Sequence, residues 1–165
     1  MSNAILGPDG FLVLGGDRYP ACLGRAGISA FKVEGDGATP AGLLPLRRVL
    51  YRADRVAPPK ASCPIEPLDR QDGWCDDPRD PAYNRRVTLP HDSRHERLWR
   101  DDAVYDMIGI LGWNDEPPIR DRGSAIFLHL TTQARGPTAG CVALSLEHMR
   151  AVLAKGLTCI NVIGP

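Results

Sequence analysis

Cys141 and His129 are the two side chains whose types and spacing permit covalent chemistry. The imidazole closes an apolar run, Gly123-Ser124-Ala125-Ile126-Phe127-Leu128-His129, and the thiol lies in Pro137-Thr138-Ala139-Gly140-Cys141-Val142-Ala143-Leu144. A strand end, a tight loop and a return bring two such residues within hydrogen-bond reach. A free thiol is mostly protonated at neutral pH, with a pKa of about 8.5. A neighbouring imidazolium would stabilise the thiolate nucleophile. Gly140 lets the backbone approach a substrate carbonyl, and the amides around Gly140 and Cys141 offer donors to an oxyanion. The chemistry is acyl transfer through a thioester, with an amine or water as the second acceptor. Taken alone the pair is weak evidence, because a buried cysteine is more often a small core hydrophobe.

Other polar residues divide into turn formers and cleft candidates. Asp36, Asp77 and Asn84 sit in Gly- or Pro-rich loops, where turn chemistry is the plain role and contact with an amphoteric peptide the functional one. Arg85, Arg86 and Arg94 could hold a carboxylate in bidentate fashion. His91 and His95 are four apart and would share one face of a helix, which permits a metal site or a cleft lining. No HExxH pattern, CxxC pair or GxGxxG loop occurs, so neither a metal nor a cofactor is expected. His148 suits a packing or surface position. Trp74, Trp99 and Trp113 suit core or cleft wall.

The elements that must position these groups are mostly strands. Phe11 to Leu14, Tyr19 to Gly24, Ile28 to Val33, Leu43 to Tyr51, Val104 to Trp113, Ser124 to Leu130 and Leu157 to Ile163 read as strands between turn signals. Val104 to Trp113 is apolar enough to be central. Ala57 to Pro81 reads as a long ordered loop and Asp92 to Trp99 as a short helix capped by Asp92 or Ser93. A second helix follows Ser145, with Leu146, Met149, Val152 and Leu153 on one face and Gly156 at its end. There is no βαβ rhythm, so the expected class is mainly β and mainly antiparallel, with one or two short helices. Residues 1–10 read as an N-terminal tail and 11–165 as a single domain.

Composition narrows the function classes. Twenty basic and 20 acidic residues balance, which removes the electrostatic argument for a nucleic-acid partner. No apolar stretch approaches a membrane span, and no basic segment followed by an apolar one suggests a signal peptide. Five cysteines leave at least one unpaired; Cys63 and Cys75 could bridge, although free thiols are the plainer reading.

Several ordered blocks resemble the L,D-transpeptidase (YkuD-like) family. Ala38-Thr39-Pro40-Ala41-Gly42 is similar to its TPxG element. His129 with Thr138-Ala139-Gly140-Cys141-Val142 resembles its histidine and [ST]HGC signature, in the short branch that carries GSAIFLH and PTxGCVAL. Asp80-Pro81-Ala82-Tyr83-Asn84, Leu98-Trp99-Arg100-Asp101-Asp102 and Leu111-Gly112-Trp113-Asn114 are similar to that branch too. The resemblance implies a β-sandwich-like domain acting on peptidoglycan stem peptides, releasing a D-amino acid and passing the acyl group to an amine. It implies Cys141 as nucleophile, His129 as base and Gly140 in the oxyanion turn. Thr138, Asn84, Asp77, Asp36, Arg85 and His91 are then the substrate-contact candidates. An L,D-carboxypeptidase or amidase using water, or a non-catalytic peptidoglycan-binding module, are the alternatives. The substrate class implies the periplasm or cell envelope. Two departures stand out: Ala139 replaces the motif's second histidine, and Leu130 replaces the glycine after the first. The carbonyl near Leu130 or the Thr131 hydroxyl is left to orient the imidazole.

Overall fold

The computed structural model describes residues 2–164. Its strands are β1 (Ser2–Leu6), β2 (Phe11–Leu14), β3 (Asp17–Pro20), β4 (Ile28–Ser29), β5 (Thr39–Pro40), β6 (Gly42–Tyr51) and β7 (Ile65–Pro67). They continue as β8 (Asp72–Cys75), β9 (Arg86–Thr88), β10 (His95–Arg97), β11 (Met107–Leu111), β12 (Phe127–Leu130), β13 (Val142–Leu144) and β14 (Leu157–Val162). One helix, α1 (Leu146–Ala154), lies between β13 and β14.

Nine strands form one sheet in the order β13-β12-β11-β6-β14-β1-β2-β3, with β7 added beside β6. The chain after β3 then returns to β13. Cys22 N donates to Ala143 O and Ala143 N donates to Cys22 O, both at 2.9 Å. This bridge nearly closes the sheet on itself and satisfies edge groups that would otherwise be left unpaired. The sheet is mainly antiparallel, as expected, through β1–β2, β2–β3, β6–β14, β6–β11 and β11–β12, with β1–β14, β12–β13 and β6–β7 parallel.

β11 is central, as its apolar run predicts, and all five of its residues are buried. The main core gathers Leu6, Leu12, Leu44, Met107, Leu128, Val142 and Ile160 with the inner face of α1. Ser145 caps α1 by accepting the His148 N–H at 3.2 Å, and Met149, Val152 and Leu153 are buried. Each such side chain contributes about 1.5–3 kcal/mol on burial. Leu146, expected on that face, is exposed. His148 packs edge-on against Tyr19.

Three expectations are corrected. Residues 2–6 are not tail: Ala4 and Leu6 point inward with period two and are fully buried, in parallel register with β14. The stretch Asp92 to Trp99 is not helical. Ser93 Oγ binds the Asp80 carboxylate at 2.5 Å instead of capping a turn, and His95–Arg97 pairs with β8. The Ala57 to Pro81 loop contains two strands, β7 and β8. The small sheet β10-β8-β9 packs its tryptophan, Trp74, edge-on against Phe127 of β12 at 5.1 Å, so it supports the strand that carries His129.

Candidate active site

Strand register places the nucleophile candidate beside its base. In the parallel pair β12–β13, Leu128 faces Val142, His129 faces Ala143 and Leu130 faces Leu144. Side chains alternate along a strand, so Cys141, two before Ala143, emerges on the same face as His129 and diagonally from it. Both line one cleft of roughly 340 Å³.

Cys141 is held by backbone on two sides. Its Sγ donates to Ala125 O at 3.2 Å and accepts the Phe127 N–H at 3.4 Å. Ala125 is left-handed, with φ of 54°, a conformation that costs a residue with a Cβ about 1–2 kcal/mol. Asn84 Oδ1 accepts the Ala125 N–H at 3.0 Å and so holds the turn that aims its carbonyl at the sulfur. His129 Nδ1 lies 3.0 Å from Leu130 O. A carbonyl only accepts, so Nδ1 carries the proton and Nε2 of the neutral ring is the basic atom. The Leu130 carbonyl therefore performs the orienting role, not the Thr131 hydroxyl. Tyr105 packs edge-on against the imidazole at 5.5 Å.

Electrostatics make this resting pair neutral. Burial pushes the Cys141 thiol up to about 12; the Phe127 N–H and the Lys32 charge oppose the shift and Glu96 adds to it. Burial pulls His129 below the ordinary imidazole value, against its bond to Leu130. The imidazole is not among the thiol's hydrogen-bond partners. The expectation of a thiol already ionised by an imidazolium is thus corrected: desolvation penalises both charges, and neither compensates the other at rest.

The turn before Cys141 is built around glycine. Gly140 has φ of +134°, and a Cβ there would stand 2.7 Å from Ala38 O. Its N–H donates to Thr138 Oγ1 at 3.1 Å, and the same hydroxyl donates to Cys141 O at 2.7 Å. The Gly140 amide is therefore taken. The Cys141 N–H, which has no acceptor among the described residues, remains to meet an oxyanion. Thr39 accepts from Gly24 N at 2.9 Å and lies against Cys141 O at 3.5 Å. The TPxG-like segment is thus the floor under the cysteine turn.

Of the six substrate-contact candidates only Thr138 lines the cleft. Asp36 binds Lys32 at 2.5 Å and the Val33 and Ala38 amides, which hold its carboxyl below the usual range despite burial. Asp77 caps Arg79, whose side chain and amide bring its pKa to about 2. Asn84 is a buried hub: besides Ala125 it binds Trp74 Nε1 and the carbonyls of Trp113 and Asn114. Its φ of 56° is one asparagine tolerates. Arg85 lines a second cavity beside Trp74 and Phe127. His91 lies near Cys75 and Asp80, away from the cleft, and meets His95 edge-on at 6.0 Å from a loop rather than along a helix. Cys63 and Cys75 are free thiols.

The cleft's charged lining was not legible as such. Lys32, Glu34, Asp76, Glu96 and Arg25 all face it, with Tyr105. Lys32 is buried while Phe31 and Val33 on either side are exposed, the inverse of the alternation a surface strand shows. Glu34 accepts from Tyr83 and Ser124 hydroxyls, each at 2.6 Å. Burial raises the Glu96 carboxyl, and Tyr105 donates to it. The cleft thus presents both signs of charge beside a thiol and an imidazole. The family model for the L,D-transpeptidase catalytic domain, YkuD, matches residues 12–158. No curated protein and no solved structure gives a significant match.

Proposed function

Because the chain belongs to the L,D-transpeptidase catalytic-domain family, whose members act on peptidoglycan peptides, we propose that it is a cysteine-dependent L,D-transpeptidase using stem peptides as acyl donors. The observation that carries this reading is that Cys141, immediately before β13, and His129, on the parallel neighbour β12, line one cleft.

The steps follow from the neutral pair. Substrate draws the thiol from Ala125 O, His129 Nε2 takes its proton, and Sγ attacks the carbonyl that precedes a D-residue. The Cys141 N–H meets the oxyanion. Collapse breaks the C–N bond, and His129 returns its proton to the departing D-amino acid, leaving a thioester. An amine then gives its proton to His129 and attacks, which restores the thiol and forms the new amide. The mixed lining of Lys32, Arg25, Glu34, Asp76 and Glu96 suits a donor that carries carboxylates and ammonium groups. That substrate places the protein in the periplasm or cell envelope.

Incubation with a carbapenem followed by intact mass measurement tests the reading. The expected result is one acyl adduct on the wild type and none on Cys141→Ala. With a stem tetrapeptide, an added D-amino acid should appear in the product; release of tripeptide alone would assign water as the acceptor. Binding of stem peptide with neither product nor adduct would overturn the enzymatic reading.

A further inference from the structure

A second constellation lies outside the cleft lining and begins next in sequence to its residue Asp76. Cys75 Sγ, an Asp80 carboxylate oxygen and a His91 ring nitrogen all lie within 4.8 Å of one another. They come from three separate places: the end of β8, the loop after it and the segment before β10. We infer that Cys75, Asp80 and His91 form a divalent-cation site of zinc-like preference that staples this loop.

The donor chemistry carries the inference. Thiolate, imidazole and carboxylate together suit a borderline-soft ion such as zinc. His91 Nε2 is 3.4 Å from Asp80 Oδ2, close to the ~3.3 Å that tetrahedral zinc with ligands at about 2.0–2.1 Å sets between neighbouring donors. The Nε2 atom is buried and has no hydrogen-bond partner. A buried ring nitrogen without a partner is costly, and a cation would meet that need. Asp80 is already oriented: Ser93 Oγ donates to Oδ2 at 2.5 Å and Ala82 N donates to Oδ1 at 2.7 Å. Metal-binding carboxylates are held in this way. Cys75 has no exposure, so a nucleophilic role for the trio finds no route for a substrate. On uptake the Cys75 S–H bond breaks, its proton leaves to solvent, and the thiolate binds the ion.

The ion would join the two ends of the excursion from Cys75 to His91. That segment contains Asn84, which holds the Ala125 turn, and the cleft residue Asp76.

Cobalt titration tests this in a Cys141→Ser background, where the active-site thiol cannot compete. After stripping with chelator, the full chain should bind one cobalt ion and show a thiolate-to-metal charge-transfer band in the near ultraviolet. Zinc should displace the cobalt, and native mass should show one zinc per chain. Adding Cys75→Ser should abolish the band. His91→Ala and Asp80→Asn should each weaken binding on the order of 100-fold or more, beyond what loss of an outer-shell partner costs. Circular dichroism checks folding, and should Cys75→Ser fail to fold, the His91 and Asp80 variants decide. Absence of the band in Cys141→Ser, its survival in folded Cys75→Ser, or unchanged affinity in His91→Ala and Asp80→Asn would overturn the site.

Discussion

Iodoacetamide should alkylate Cys141 slowly at neutral pH and steadily faster as the pH climbs. Burial pushes this thiol up to about 12, against about 8.5 for a free cysteine. At pH 7.5 the thiolate fraction is then about 10⁻¹ for the free thiol and about 3 × 10⁻⁵ for Cys141, a deficit of about 3 × 10³-fold. The more basic sulfur is intrinsically the better nucleophile, and a Brønsted coefficient of about 0.45 over the same interval returns about 40-fold. The net is alkylation about 10²-fold slower than that of a free cysteine. Limited access slows the reaction by a similar factor at every pH, so the slope is the diagnostic. The assay is peptide mass spectrometry, which resolves Cys141 from the other four cysteines. Its logarithmic rate should rise by about one per pH unit from pH 7 to 10, as expected while the reactive thiolate remains a minor species. A plateau below pH 8 would refute the neutral resting pair and restore a preformed thiolate–imidazolium.

Three further outcomes follow from the same geometry. The value of kcat/KM should rise along an acid limb with a midpoint below about 6.5: burial lowers His129, so its basic neutral form persists to lower pH, and a midpoint above 7 in the pH profile would contradict this. Gly140→Ala forces a Cβ to 2.7 Å from Ala38 O and adds about 1–3 kcal/mol of backbone strain, so carbapenem acylation should fall sharply and the melting temperature by several degrees. Asn84→Ala removes the acceptor for Trp74 and Ala125 and the donor to Trp113 and Asn114; at about 1–3 kcal/mol per stranded buried group, calorimetry should show at least about 3 kcal/mol lost, and an unchanged melting temperature would remove its hub role.

Particular residues show where sequence and fold part company. The apolar run ending at His129, the glycine before Cys141 and the Ser145 cap are local signals; the helix formed where its cap lay, while the strand expected over Ser124 to Leu130 formed only over Phe127–Leu130, after the left-handed turn at Ala125. Asn84 was legible only as a turn former or cleft contact; its positive φ and its bonds to Trp74, Trp113, Asn114 and Ala125 depend on segments that the fold brings together. Asp92 to Trp99 misled because a capping residue and a helix-permissive run say nothing about β8 arriving alongside. Asp36 and Asp77 take the plainer of their two readings, turn chemistry, since each satisfies donors within its own turn.

What the sequence by itself determined is therefore the mainly β class, the nucleophile and base candidates, and the glycine turn between them. These rest on period, turn chemistry and side-chain type, which act over a few residues. Tertiary structure alone decided the parallel register that sets Cys141 diagonal to His129, the burial that keeps both neutral, and the gathering of Lys32, Glu34 and Glu96 into one lining. It also brought Cys75 to Asp80 and His91. Register and desolvation arise from which distant segments pack together, and no local pattern encodes that.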